Sequence, residues 1–220
     1  ANFTQELGYT LSILVECIEA SDMEINDLLK NTEITFGITS NYFFEIAKLK
    51  SFTYMLKKLG EAYDSEVLSF PEFSAISSTV NKTLFDPYVN MLRGTKEAMS
   101  AAIAGYENIS ILPFDTTYTD NNEFGGRIAR NIQLIIQEES FLNKVVDPAS
   151  GSYYLEHLTE QLIDKAWSLF LLTEKEGGFL RALENGSVQS ELKEEQSGYD
   201  ALRHVHIRLK EEGGPAHCHN

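Results

Sequence analysis

Three short segments of strand character, each followed by a segment of helical length, constrain this chain more than any other feature of it. They are Glu33-Ile34-Thr35-Phe36-Gly37-Ile38, Ser74 to Thr79, and Ile109 to Phe114. Alternation and β-branching in the first argue a strand. Helices are read from Asn41 to about Leu59, from Asp86 to about Ala104, and from beyond Asp120, where Glu123 has capping-box spacing. Repeated βα units imply an α/β fold in which 33–38, 74–79 and 109–114 are adjacent parallel strands. Helices 41–59 and 86–104 pack outside them, with right-handed crossovers.

Periodicity fills in the rest. Phe3, Leu7, Leu11, Leu14, Val15 and Ile18 open the chain with a one-sided helix, and a shorter helical piece runs from Met23 to Leu29. The helix after Asn41 carries Phe43, Phe44, Ile46, Ala47, Phe52, Met55 and Leu56 on more than one face, so it is expected between the sheet and another layer. Asp86-Pro87 suits an N-cap followed by a first-turn proline, and Leu92, Met99, Ala102 and Ile103 form the expected core face up to Gly105. Phe124, Ile128, Ile132 and Ile135 form the next stripe. The turn Asp147-Pro148-Ala149-Ser150-Gly151 leads to a helix with Leu155, Leu158, Leu162, Ala166 and Leu169 inward, where His157 and Trp167 are read as packing residues. A final helix is expected over 187–212, its acids early and its bases late, and a disordered tail over 213–220.

The 33 acidic against 18 basic residues give a net charge of -15. Such a surface repels nucleic acid and anionic membrane, and no run of apolar residues is long enough for a transmembrane helix. Cys17 and Cys218 lie far apart and form no metal spacing, which points to a reducing, cytoplasmic compartment. The start shows no signal peptide, and His217-Cys218-His219 lacks a fourth ligand, so no metal site is assigned. No GxSxG, HExxH, GxGxxG or phosphate-loop signature is present. Gly125-Gly126 is read as a close-packing device. Asp86, Asp115 and Asp147 are read first as caps and turn formers, although strand ends are also where barrel enzymes place ligands.

Six strings in unbroken order carry a family likeness: SNYFFEIAKLK (Ser40 to Lys50), NKTLFDPYVNMLRGTKEAM (Asn81 to Met99), ILPFD (Ile111 to Asp115), RIARNIQLIIQEES (Arg127 to Ser140), VVDPASGSYYLEHLTEQLIDKAW (Val145 to Trp167) and EKEGGF (Glu174 to Phe179). Together they resemble the coenzyme-B12-dependent methylmalonyl-CoA mutases, above all the small, non-catalytic subunit of the heterodimeric form. The likeness runs from about Phe3 to about Glu191 and fades from Gln196 onward. It implies the later part of a (β/α)8 TIM-type acyl-CoA barrel over 1–186, followed by C-terminal helices.

For the whole enzyme the resemblance implies interconversion of (R)-methylmalonyl-CoA and succinyl-CoA in propionate metabolism. Adenosylcobalamin is the cofactor of the parent holoenzyme, and a catalytic large subunit is the partner. Ser74 stands near the position of a substrate-facing histidine of catalytic members, and Thr116 near that of a cofactor-facing glutamate. Both departures imply a chain inactive by itself, with no catalytic residue and no cobalamin of its own. Asp86, Asn90, Arg93 and Asp115 are the substrate-binding candidates that remain. A self-contained α/β acyl-CoA-binding domain, or a fragment of a catalytic subunit, is the alternative. Open sheet edges and an expected apolar inner face predict self-association as a dimer.

Overall fold

The structure, a computed structural model, describes residues 2–21, 23–119, 122–142, 144–195 and 206–209. Helices α1 (Phe3–Ala20) and α2 (Ile25–Lys30) lead into β1 (Thr32–Ile38), α3 (Tyr42–Ala62), β2 (Glu72–Ser77), α4 (Val89–Ala104) and β3 (Asn108–Ser110). Then come α5 (Glu123–Glu138), α6 (Tyr153–Lys175), α7 (Phe179–Glu184), α8 (Ser187–Glu195) and β4 (His206–Leu209). The sheet order is β3-β2-β1-β4, with β1, β2 and β3 parallel and β4 antiparallel to β1. This is the expected α/β arrangement of parallel strands flanked by helices, consistent with part of a TIM-like barrel.

The main core lies between sheet and helices. Ile34, Phe36 and Ile38 of β1 and Phe73 and Ala75 of β2 face the same way, because alternate strand residues share a face. They meet Phe52, Met55 and Leu56 of α3, with the Phe52 ring 5.3 Å from Phe36 and 6.1 Å from Phe73. Helix α6 covers the far side of α3 and also packs on α1, so α3 is indeed sandwiched. The α6 stripe Leu155, Leu158, Leu162 and Ala166 is buried as its spacing demands. Trp167 packs partly buried against the core, its ring 4.2 Å from Lys58 Nζ. His157 is instead exposed and shares a 3.0 Å hydrogen bond with Gln161.

Several expectations are corrected. The third strand stops at Ser110 rather than Phe114, since Pro113 offers no N–H to a ladder and Leu112 N donates instead to the Ser77 side chain at 2.7 Å. Helix α4 begins at Val89, after a turn in which Val89 N and Asn90 N donate to Asp86 O and Pro87 O. Its buried face is Asn90, Gly94, Glu97, Ala98 and Ala101, while Leu92 is exposed; small residues there allow close approach to the neighbouring helices. Helix α5 likewise buries Gly125, Ala129 and Ile136, leaving Phe124 and Ile135 exposed, and Asn122 caps it. Asp120 lies outside the described residues.

The expected helix over 187–212 is broken. Helix α8 ends at Glu195, and His206-Ile207-Arg208-Leu209, whose polar and apolar residues alternate, pairs with the free edge of β1. Residues 213–220 lie outside the described residues. The sheet's other face is polar rather than apolar: Glu33, Thr35, Ser74, Asn108 and Ser110 share it with Gly37 and Ile76. There Ser74 Oγ donates to Glu33 at 2.7 Å, and Asn108 Nδ2 donates to Glu72 at 2.6 Å. Among the described residues no helix is long and apolar enough to cross a membrane.

Candidate functional site at the strand ends

The loops that leave β2 and β3 at their C-terminal ends hold the candidate side chains. Asn90, in the first turn of α4, is 1% exposed and ties both loops together. Its Nδ2 donates to Thr83 O at 2.9 Å and to Phe114 O at 3.0 Å, and its Oδ1 accepts from Thr83 N at 3.0 Å and from Arg93 Nη1 at 2.9 Å. Two donors and two lone pairs are therefore all engaged. Asp115 is 2% exposed; its Oδ2 accepts from Asn122 Nδ2 at 2.8 Å, while Oδ1 has no partner among the described residues. That oxygen lies against Gly125, where a Cβ would collide with it, so Gly125 is a close-packing position as expected. Asp86 stands apart from the other three, exposed in the turn before α4 with no side-chain bond among the described residues.

The two positions read as departures are engaged too. Ser74 is buried within β2 and bonded to Glu33, and Thr116 Oγ1 donates to Pro113 O at 2.6 Å. Asp147 acts as the expected turn former, accepting from Ala149 N at 3.1 Å, and it also pairs with Lys50 at 2.8 Å. That pair borders a groove of about 580 Å³ between α3 and α6, lined also by Tyr54, Lys57, Glu156 and Glu160.

Two buried charge clusters escaped the sequence reading. In the first, Lys48 Nζ donates to Gly37 O at 2.6 Å and Glu6 Oε2 at 3.1 Å, and lies 2.7 Å from Glu45 Oε2 as an ion pair outside hydrogen-bond alignment. Glu45 Oε1 accepts from Thr39 N and Oγ1, both at 2.7 Å, and so fixes the loop after β1. Burial opposes the charge on Lys48, but Glu45 and Glu6 outweigh it and raise the Lys48 pKa. Burial raises the Glu6 pKa against the pull of Lys48, with Glu45 adding to the rise. One cation shared by two carboxylates accounts for both directions. In the second cluster Lys82 Nζ grips both Glu97 oxygens, at 2.8 and 2.7 Å, and Asn81 donates to Oε1. Burial lowers the Lys82 pKa and raises that of Glu97, each against the partner's charge. The legible signal was Glu45-x-x-Lys48, two charges set among the apolar residues of α3.

His157, the histidine of the described helices, is exposed and bonded to Gln161, and no group of three or more metal-ligating side chains forms among the described residues. The sequence profile described as methylmalonyl-CoA mutase matches residues 1–205, so the likeness reaches past Gln196. The small subunit of methylmalonyl-CoA mutase from Porphyromonas gingivalis is 42% identical over 196 residues, covering 86% of this chain and 32% of that protein. The large subunit from the same organism is 31% identical over 186 residues, covering 82% and 26%. The methylmalonyl-CoA mutase of Cereibacter sphaeroides is 35% identical over 199 residues, covering 88% and 28%. The chain thus spans about a third of the length of the curated relatives it matches, or less. A profile matched along nearly the whole sequence, and relatives well above 30% identity, make this chain a member of the methylmalonyl-CoA mutase family, nearer in identity to the Porphyromonas small subunit than to its large one.

Proposed function

We propose that this chain is a barrel portion of a small-subunit-type member, a scaffold without turnover of its own. It serves a cytoplasmic holoenzyme that interconverts (R)-methylmalonyl-CoA and succinyl-CoA. Adenosylcobalamin supplies the radical chemistry in that holoenzyme, and a catalytic large subunit carries the reaction. The observation that carries the reading is Asn90, whose two donors and two lone pairs are all taken within the fold, one of them by Arg93, so that it ties the loops after β2 and β3 together and keeps no free polar atom for an acyl thioester. At the two positions of departure, Ser74 is bonded to Glu33 and Thr116 to the Pro113 carbonyl.

Calorimetric titration of the purified chain with adenosylcobalamin and with succinyl-CoA, followed by a turnover assay, tests this. No binding heat and no isomerisation are expected, and co-elution with a purified large subunit is expected. Micromolar cobalamin affinity together with isomerisation would instead establish a catalytic fragment. Micromolar succinyl-CoA affinity without turnover would favour an acyl-CoA-binding domain, and Asn90, Arg93 and Asp115 would then be its first contacts to test.

A further inference from the structure

Both features from which the sequence predicts self-association are altered in the structure: the uncovered sheet face is polar, and the β1 edge carries β4. Among the described strands β4 alone runs antiparallel. It is four residues long and begins at His206, one residue after the family profile ends at residue 205. Its register on β1 is chemically ordered. Ile207 and Leu209 stand opposite Ile34 and Thr32, which are buried on the core face, while His206 and Arg208 stand opposite Thr35 and Glu33 on the polar face. A slip of one residue would bring Arg208 opposite a core position, so the pattern specifies this pairing. It also sets Arg208 opposite the carboxylate Glu33, a favourable cross-strand combination. The wider charge agrees: Arg203 to Lys210 includes Arg203, Arg208 and Lys210 and no acid, in a chain of net charge -15.

We infer that the β1 edge is a strand-docking site and that β4 is its resident occupant, a cap carried by this chain that any added strand has to displace. A sheet edge presents a row of N–H and C=O groups to any extended chain, and folded proteins cover or shorten such edges. Strand addition takes its affinity from main-chain bonds and its selectivity from alternate side-chain positions, and the register of β4 on β1 meets both needs. The place matters, because a parallel strand continuing the order β3-β2-β1 would use this same edge. With β4 seated, the margins of the sheet are β4 with four residues and β3 with three, where β1 would offer seven. The inference concerns this chain alone and does not rest on the holoenzyme role proposed above.

The full chain with Ile207→Pro and Arg208→Pro is the first test. Successive strand residues direct their N–H groups to opposite sides, so one of two adjacent prolines removes a bond to β1 whichever way the strand alternates. Hydrogen exchange read by mass spectrometry is expected to quicken at least about tenfold in the segment 32–35 and to stay unchanged in α3 and α6. Unchanged protection at 32–35 would overturn the inference. Loss of protection throughout would overturn it too, since β4 would then belong to the fold rather than cap it. A labelled peptide of residues 204–210, HVHIRLK, supplies the docking readout. It is titrated to about 1 mM, the order of effective concentration of a tethered segment. Binding is expected to the proline variant and not to the wild type, whose site is filled. Arg208→Glu in the peptide is expected to weaken that binding about fivefold, as reversal of a cross-strand charge pair does. No binding to the variant, or equal binding to both chains, would refute the site. Equal binding by a scrambled peptide of the same composition would also refute it, leaving charge attraction as the cause.

Discussion

Lys48 is a fully buried cation held between two carboxylates, so its removal strikes the core directly. Its ammonium is fully buried between Glu6, Glu45 and the Gly37 carbonyl, with the Phe3 and Phe36 rings 5.4 and 5.6 Å away. Replacing it by Met keeps the bulk and leaves two carboxylates without their cation, a change that typically costs about 3–5 kcal/mol. The raised Lys48 pKa means that its contribution is complete below 10.5 and lost only as pH climbs through the higher folded value. Glu6 is also raised, so its protonated form favours the fold, and its contribution is present below 4.5 and lost as pH rises through the folded value. Without Lys48 the pull that opposes the rise of Glu6 is gone, and protonation of Glu6 relieves the variant sooner than the wild type. In urea unfolding from pH 8 to pH 5, the stability gap between wild type and Lys48→Met is expected to be widest at pH 7–8 and to narrow on acidification. A gap that is small throughout, or flat with pH, would count against the cluster as described. Lys82 and Glu97 differ, because both shift toward the neutral pair; their ion pair holds the loop after β2 rather than adding stability.

At the scale of elements, α1, α3 and α6 were legible because their apolar stripes face the core, and α4 and α5 were legible in part. Met99, Ala102, Ile103 and Ile132 pack partly buried on core clusters as their spacing predicts, but the buried positions are Gly94, Ala98 and Ala101, and Gly125, Ala129 and Ile136, while Leu92, Phe124 and Ile135 are exposed. Hydrophobic period alone favours bulk over closeness and so misses the small buried residues. The candidate site was legible only in kind: polar residues at strand ends were named, but the Asn90 clamp depends on Phe114, 24 residues away, and the Glu6–Lys48 pair on a separation of 42. Spacing within one helix cannot reveal such partners. The two adjacent glycines of α5 make the close-packing argument testable. A Cβ at Gly125 meets the Asp115 carboxylate, whereas at Gly126 the nearest atom is Arg130 Nη1 at 3.7 Å. Gly125→Ala is expected to destabilise by about 1–3 kcal/mol through overpacking. Gly126→Ala is expected to stabilise by up to about 1 kcal/mol through helix propensity. Asp115→Ala should remove most of the Gly125→Ala cost, and a double-mutant cycle by urea unfolding measures that coupling. Equal effects of the two glycine substitutions would mean that Asp115 does not set the α5 contact.

For the molecule as a whole, the sheet is assembled from parallel βα units, yet its uncovered face is polar and one outer edge is occupied by β4. The exposed apolar side chains are scattered, with Leu68 and Val146 in loops and Leu92, Leu134 and Ile135 on helices. Self-repulsion from 33 acidic against 18 basic residues acts on the fold, and salt screens it with a Debye length of about 8 Å at physiological ionic strength. Raising NaCl from about 20 mM to about 500 mM should lift the melting temperature by a few degrees, at roughly 2–4 °C per kcal/mol for a chain of this size. Thermal melts across that range, at one protein concentration, measure the increment, and no increment would mean that charge repulsion is not what limits this fold.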